Sequence, residues 1–123
     1  MKKKTPSFNP ADFEPVRQIA ILFPGTADGI SHEGTPSVKV GKKLMCRLHE
    51  SGAFISIRLP FEVRDAYLES HPEVFHLPDH FRKYPYICMW IHPYKTDLLR
   101  EVLYKSWKSI ATQAQIRAYE EKP

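Results

Sequence analysis

The stretch "VGKKLMCRLHESGAFISIRLP", residues 40–60, decides the fold because it predicts two strands joined by a tight turn. Apolar and polar residues alternate along the segments 43–49 and 53–59, which the turn-forming letters ESG separate. Such alternation is typical of an antiparallel sheet with one buried and one solvated face. The face predicted to be buried carries Leu44, Cys46, Leu48, Ala53, Ile55, Ile57 and Leu59. The face predicted to be solvated carries Lys43, Met45, Arg47, His49, Phe54, Ser56 and Arg58.

The composition is that of one globular domain: 123 residues, of which 42% are apolar and 26% charged. We expect a basic flexible tail over residues 1–9 and a single domain over residues 10–119. The net charge is +4, and Lys2, Lys3 and Lys4 supply three of these charges. The rest of the chain is nearly balanced, with 15 basic and 14 acidic side chains, so only local clustering can indicate a polyanionic partner.

The remaining segments predict the element order α-βββ-α-β(β)-α. Helical spacing begins after Asn9, a candidate N-cap, and residues 24–37 are rich in turn-forming residues. A short helix follows Pro60, a strand covers residues 86–93, and one long helix is predicted from Thr96 to about Tyr119. Mostly alternating strands need helices over one face only. The fold class is therefore α+β, a two-layer sandwich in which helices cover one face of an antiparallel sheet.

Several motifs, in order, resemble the MmcQ/YjbR family. They are "LFPGTADGISHEGTPSVKVGKKLMCRL", "SHPEVFHLPDHFRKYPYICMWI" and "LLREVLYKSWKSIA", and the similarity covers roughly residues 12–112. The resemblance implies a CyaY-like (frataxin-like) sandwich, called a double-wing fold, and DNA binding as the usual family label. It implies no established reaction.

The side of the hairpin predicted to be solvated is more basic than the fold requires. Residues 39–64 hold six basic side chains against two acidic ones. Guanidinium and ammonium groups bind phosphates, and exposed aromatic rings stack on bases, so we predict non-enzymatic DNA or other nucleic-acid binding on this face. The residues predicted to carry it are Lys39, Lys43, Arg47, Arg58 and Trp90.

Two other uses of the same surface remain open. Long charged residues on exposed strands can simply be solvated and protect against aggregation. Alternatively, Met45, Phe54, Tyr86 and Trp90 could form an aromatic surface for a protein partner. The loop "HFRKYPY", residues 80–86, either extends a polyanion track or packs its aromatic rings onto the core.

No catalytic residue, metal site or cofactor is predicted. His76 and His80 are four residues apart, but Pro78 between them opposes a helical ligand pair. Cys46 is predicted to face inward and Cys88 outward, both as free thiols of a cytoplasmic protein. The sequence has no secretory leader and no membrane-spanning run, so no membrane partner is expected, and it does not indicate an oligomeric state.

Overall fold

The computed structural model describes residues 7–121 of the chain, which form six strands and four α-helices. The strands are β1 (Thr26–Ile30), β2 (Pro36–Val40), β3 (Lys43–Leu48), β4 (Phe54–Arg58), β5 (Phe75–His76) and β6 (Tyr86–Trp90). The helices are α1 (Glu14–Ala20), α2 (Phe61–Ser70), α3 (Thr96–Ile110) and α4 (Gln113–Glu120). All strand pairs are antiparallel, in the spatial order β1-β2-β3-β4-β6-β5.

The helices cover one face of this sheet, as the sequence predicts. Helix α1 packs against β2 and α3, α3 against β3 and β4, and α2 against β5 and β6. Full burial of each large apolar side chain contributes roughly 1.5–3 kcal/mol, so this layer is the main source of stability. The buried residues between the layers include Val38, Cys46, Leu48, Ile55, Ile57, Ile87 and Met89 from the sheet and Val16, Leu99, Val102, Leu103 and Trp107 from the helices.

A β-bulge in β3 makes part of the predicted alternation wrong. Val38 pairs with Cys46 and Lys39 with Leu44, so Met45 is an additional residue on β3. Met45 is fully buried, although the sequence pattern predicts it on the solvated face. Leu44, predicted to be buried on the helix side, instead lies beside Lys39 on the other face.

The same bulge moves Lys43 to the helix side of the sheet. Lys43 pairs with Val40, whose side chain belongs to the core, and opposite residues of an antiparallel pair point to the same face. The predicted grouping of Lys43 with Lys39, Arg47 and Arg58 is therefore wrong. Beyond a bulge, each side chain points to the face opposite to that given by simple alternation.

Strand β1 lies inside the segment that the sequence predicts to be turns. All five of its residues pair with β2, from Thr26 opposite Val40 to Ile30 opposite Pro36. The strand forms an edge of the sheet, and its side chains are exposed or half-buried. It consequently lacks the apolar alternation by which a strand is recognised.

The predicted single C-terminal helix is two helices, α3 and α4, separated at Ala111 and Thr112. The Thr112 side chain accepts from the Gln115 backbone N–H and the Gln115 side chain accepts from the Thr112 N–H, which is a capping box. Tyr119 of α4 packs back on Phe23 and Trp107, with ring centroids 5.3 and 5.2 Å away. Residues 111–120 therefore fold onto the helix layer.

At the other end, Asn9 caps a 3-10 turn, Pro10–Phe13, that leads into α1. The predicted N-cap is thus confirmed. Lys2, Lys3 and Lys4, and most of the predicted basic tail, lie outside the described residues.

Candidate functional site

The face of the sheet turned away from the helices, called here the outer face, has a row of polar side chains across its middle. Ser37 pairs with Arg47, Arg47 with Ser56, Ser56 with Cys88, and Cys88 with His76, so one residue comes from each of five strands. Ser37, Ser56 and Cys88 are buried. The middle of the face is therefore covered, although alternation predicts it to be solvated.

The covering segment is the loop between β5 and β6. It contains a 3-10 turn, Asp79–Phe81, whose Phe81 ring lies 6.4 Å from the ring of Phe54 and 6.5 Å from that of His49. Arg64 of α2 holds the end of this loop, since its Nη1 donates to the carbonyls of Arg82 and Tyr84 at 3.2 and 3.0 Å. The loop therefore packs an aromatic ring against the protein, as one of the two alternatives predicts, but the ring lies on the outer face and not in the core under the helices.

Arg47, a predicted phosphate-binding residue, is held by internal partners. Its side chain is 12% exposed; Nε donates to Thr35 Oγ1 at 3.1 Å and Nη2 to Glu50 Oε1 at 2.5 Å. Partial burial is the largest single influence on Glu50 and opposes its ionisation. The hydrogen bond from Arg47, a backbone hydrogen bond and nearby positive charge together outweigh burial and hold the pKa of that carboxyl below its ordinary value. Nη2 also lies 3.5 Å from the His32 carbonyl, and Nη1 has no acceptor within residues 7–121.

Arg58, a second predicted phosphate-binding residue, also has internal partners. Its Nε donates to the Leu44 carbonyl at 2.9 Å, and its Nη2 donates to the Tyr86 hydroxyl at 3.1 Å. The guanidinium carbon lies 5.2 Å from the centroid of the Tyr86 ring. Arg58 therefore fixes the position of Tyr86 with its Nε and Nη2 groups.

Lys39 and Trp90 lie on the outer face, as predicted. Lys39 is half-buried and is opposite Leu44 across the β2–β3 pair. Within the described part of the chain Lys39 forms no ion pair. Trp90 is 42% exposed and stacks on His76 with ring centroids 3.6 Å apart and planes inclined by 13°. The structure thus brings four of the five predicted site residues to one face, and Lys43 is the exception.

Between the loop and the sheet is a cavity of about 300 Å³, called here the outer cavity. The sheet supplies its polar floor through Arg47 and Ser56, and aromatic rings form most of its walls. The sequence indicates the aromatic loop. The spacing of apolar residues along the strands indicates neither the polar floor of the cavity nor the side of the sheet on which Leu44 lies. The lining residues are Leu44, Arg47, Ser56, His80, Phe81, Tyr84 and Tyr86.

Two histidines are packed among aromatic rings beside this cavity. His49 stacks on Phe54 with centroids 4.2 Å apart, and His76 meets the same ring edge-on at 4.7 Å. Burial lowers the pKa of both imidazoles, so they are neutral at pH 7. Both ring nitrogens of His76 are buried without a hydrogen-bond partner among the described residues. No group of three or more His, Cys, Asp or Glu side chains within residues 7–121 is arranged to hold a metal ion.

The two cysteines are free, as predicted, and both are buried. Burial raises the pKa of each thiol to about 12, so neither is a thiolate at neutral pH. Cys88 lies on the outer face, as alternation predicts, but it is not exposed.

A second cavity, of about 420 Å³, lies between α2 and α3 on the helix side. Part of its lining is paired internally: the Tyr67 hydroxyl donates to Glu101, and the ammonium of Lys105 is 5.0 Å from the centroid of the Tyr67 ring. The carboxylates Glu62 and Glu101 belong to this lining, whereas the lining of the outer cavity has none. The outer cavity is therefore the better candidate site for an anionic ligand.

No helix of the described chain combines the length and the apolar character needed to cross a bilayer.

Comparisons with known proteins show the fold. The crystal structure of the Deinococcus radiodurans protein DR2400, a DUF419 domain, matches with a TM-score of 0.64 over 96% of this chain and 92% of that chain, at 16% sequence identity. No family model matches the chain. No curated protein matches it either. At this identity the likeness carries the architecture alone: the fold of this chain is similar to that of a DUF419 domain.

Proposed function

We propose that this protein binds nucleic acid on its outer face and catalyses no reaction on it. The observation that carries the proposal is the combination of open aromatic rings and cations on one surface. Tyr84 is 58% exposed, Trp90 is 42% exposed, and Lys39 lies on the same face. Stacking of a base on an aromatic side chain contributes about 1–3 kcal/mol, and cations add phosphate contacts.

The proposed roles of the basic residues differ from those expected from the sequence. Arg47 and Arg58 organise the surface, because internal acceptors bind the Nε and Nη2 groups of both side chains. Phosphate contact falls to Lys39 and to Lys83, an exposed residue next to Tyr84 in the loop. Neither lysine forms an ion pair within residues 7–121. Two phosphate contacts would make affinity decrease about seven- to twelvefold between about 50 and 200 mM salt.

Membership of the MmcQ/YjbR family is part of the same proposal. The quoted motifs resemble that family, and its usual label is DNA binding. The similarity to DR2400 supports the fold that the resemblance implies. Two free buried thiols also favour the reducing cytoplasm as the location we propose.

The alternative of a protein-binding aromatic surface loses two of its four residues. Met45 is fully buried in the core, and Phe54 is buried under the loop. Tyr86 is half-buried and bound to Arg58. Of the four residues, Trp90 is then the one that remains exposed, and a single exposed ring does not form the aromatic cluster that contributes most of the binding energy at protein–protein interfaces.

Fluorescence anisotropy with labelled single-stranded and duplex oligonucleotides at about 50 and 200 mM salt tests the proposal. The variant Lys39→Glu/Lys83→Glu should lose most binding at the lower salt concentration. The control Lys95→Glu/Arg100→Glu makes the same charge change at exposed positions at the start of α3 and should bind like the wild type. Equal losses in both variants would indicate a general charge effect and contradict an outer-face site. Absence of binding by the wild type at low salt would reject nucleic-acid binding.

A further inference from the structure

We propose that the outer cavity is a pocket for one unstacked base of a single-stranded nucleic acid. This inference rests on the proposed function and adds the class of nucleic acid and the subsite. The cavity volume of about 300 Å³ is at the lower end for ligand pockets, which suits one flat ring system. Its shape, walls, floor and rim each favour a base over other occupants.

The walls are aromatic, and contacts within the protein hold the rings of Tyr86 and Phe81 and the backbone of Tyr84. Tyr86 is held by the hydrogen bond and cation–π contact from Arg58. Tyr84 is held through its carbonyl by Arg64, while most of its side chain remains open to solvent. Phe81 is packed edge-on against Phe54. Because these groups are already held, little conformational entropy would be lost in ordering them when a base stacks on the rings.

The floor suits an uncharged group with hydrogen-bond acceptors. The positive charge of Arg47 is compensated by Glu50 at 2.5 Å, so the floor does not present a free cation to a phosphate. The Nη1 group of Arg47 nevertheless has no acceptor within the described residues, and Ser56 adds a hydroxyl. A donor and a hydroxyl at the bottom of an aromatic slot match the carbonyl and ring-nitrogen acceptors of a base.

The rim places cations where the sugar–phosphate backbone of such a base would run. Lys39 lies directly opposite Leu44, a lining residue, across the β2–β3 pair. Lys83 precedes Tyr84 on the loop side. A neutral floor with a basic rim therefore separates base contacts from phosphate contacts within one site.

This arrangement selects single strands. In a duplex the bases are stacked and paired, and extracting one costs free energy that a single strand does not require. The pocket should therefore favour single-stranded over duplex oligonucleotides of the same length. No base-reading helix enters a groove in this account, so sequence preference should be weak.

The test compares the wild-type protein on three labelled probes about 10 nucleotides long: a single strand, the same strand with abasic sites, and a duplex. We expect the abasic strand to bind about 10-fold more weakly than the intact strand, equivalent to about 1.4 kcal/mol. Equal binding of intact and abasic strands would overturn the pocket and leave phosphate binding in place. Binding of none of the probes would reject the proposed function itself, so the two failures are distinguishable.

Two variants locate the base. Tyr84→Leu removes an exposed ring from the cavity wall, and Trp90→Leu removes an exposed ring from the same face outside the cavity. A single strand carrying the fluorescent base aminopurine should lose its quenching with Tyr84→Leu and keep it with Trp90→Leu. Circular dichroism confirms that both variants are folded. Loss of quenching only in Trp90→Leu, or in both variants alike, would place the base outside the cavity and contradict the pocket.

Discussion

The two faces of the sheet are built from the same strands but by different means. On the helix side, alternate residues such as Ile55 and Ile57 are fully buried among apolar side chains. On the outer face, the intervening residue Ser56 is buried as well, but beside a loop, an arginine and a cavity with mainly aromatic walls. Burial of a side chain therefore does not by itself show that it belongs to the hydrophobic core. The helix side supplies most of the stability, whereas the outer face, which is also covered in its middle, is the face on which we propose a binding site.

The largest expected contrast is between neighbours on β4 that point to opposite faces. Ile57→Ala leaves a cavity under the helices and should lower the free energy of unfolding by about 2–5 kcal/mol. Ser56→Ala removes one hydroxyl from the outer face and should change it by less than about 1 kcal/mol. Urea denaturation of both variants measures the difference. Similar losses would mean that the outer face is a second core.

The next contrast concerns arginines of the outer face. Arg47→Met removes the hydrogen bonds to Thr35 and Glu50 and should cost about 1–3 kcal/mol of unfolding free energy. Arg82→Met breaks an ion pair with Asp79 that is almost fully solvated and should cost nearly nothing. Thermal unfolding of the two variants compares them. A negligible effect of Arg47→Met would free that side chain to bind phosphate, as the sequence predicts.

The Arg47–Glu50 pair also makes the stability of the fold depend on pH. The pKa of Glu50 is depressed in the folded state, so its stabilising contribution is present above the ordinary glutamate pKa of about 4.3 and is lost as the pH falls through the folded value. The stability difference between wild type and Glu50→Gln should therefore shrink in acid. A difference that stays constant from pH 7 to acid would contradict the Arg47–Glu50 pairing.

A smaller contrast compares two lysines on opposite faces of the sheet. Lys39→Glu reverses a charge on the outer face and should weaken oligonucleotide binding about three- to tenfold at low salt. Lys43→Glu reverses a charge on the helix side and should have less effect. Anisotropy titrations with both single variants measure this. An equal or larger effect of Lys43→Glu would return the site to the hairpin face inferred from alternation.

The smallest expected effect is a pH dependence of the outer face. Burial lowers the pKa of His76, so the unfolded chain takes up a proton first as the pH falls through about 6.5. Folding stability from this residue is therefore present above that pH and declines below it. Unfolding at pH 7.5 and 5.5 should show a smaller decline for His76→Phe than for the wild type. An identical decline in both would assign the dependence to other groups.

The parts of the fold that the sequence predicts are those with clean periodicity. Strands β4 and β6 alternate regularly, and their faces are predicted correctly. The run Leu44–Met45–Cys46 is apolar throughout, so alternation cannot reveal which of its residues is the bulge. Strand β1 is hidden because its side chains are not buried. The Thr112 and Gln115 capping box, in contrast, is a local signal that could have divided the C-terminal helix.

The site is less predictable because its partners are distant in sequence. Lys39 and Trp90 reach the outer face through alternation alone. The partners that occupy Arg58 are Leu44 and Tyr86, 14 and 28 residues away. A pattern of basic residues shows where cations lie along a strand. It does not show which of these cations form hydrogen bonds or ion pairs within the protein.

The decisive measurement is a titration of the isotopically labelled protein with a single strand, followed by the chemical shifts of the backbone amides. We expect the shift changes to concentrate at the outer cavity and its rim, at Lys39, Leu44, Ser56, Tyr84 and Tyr86, while the amides of α3 remain unchanged. Shifts concentrated on the helix layer, or none at low salt, would contradict the assignment of function to the outer face.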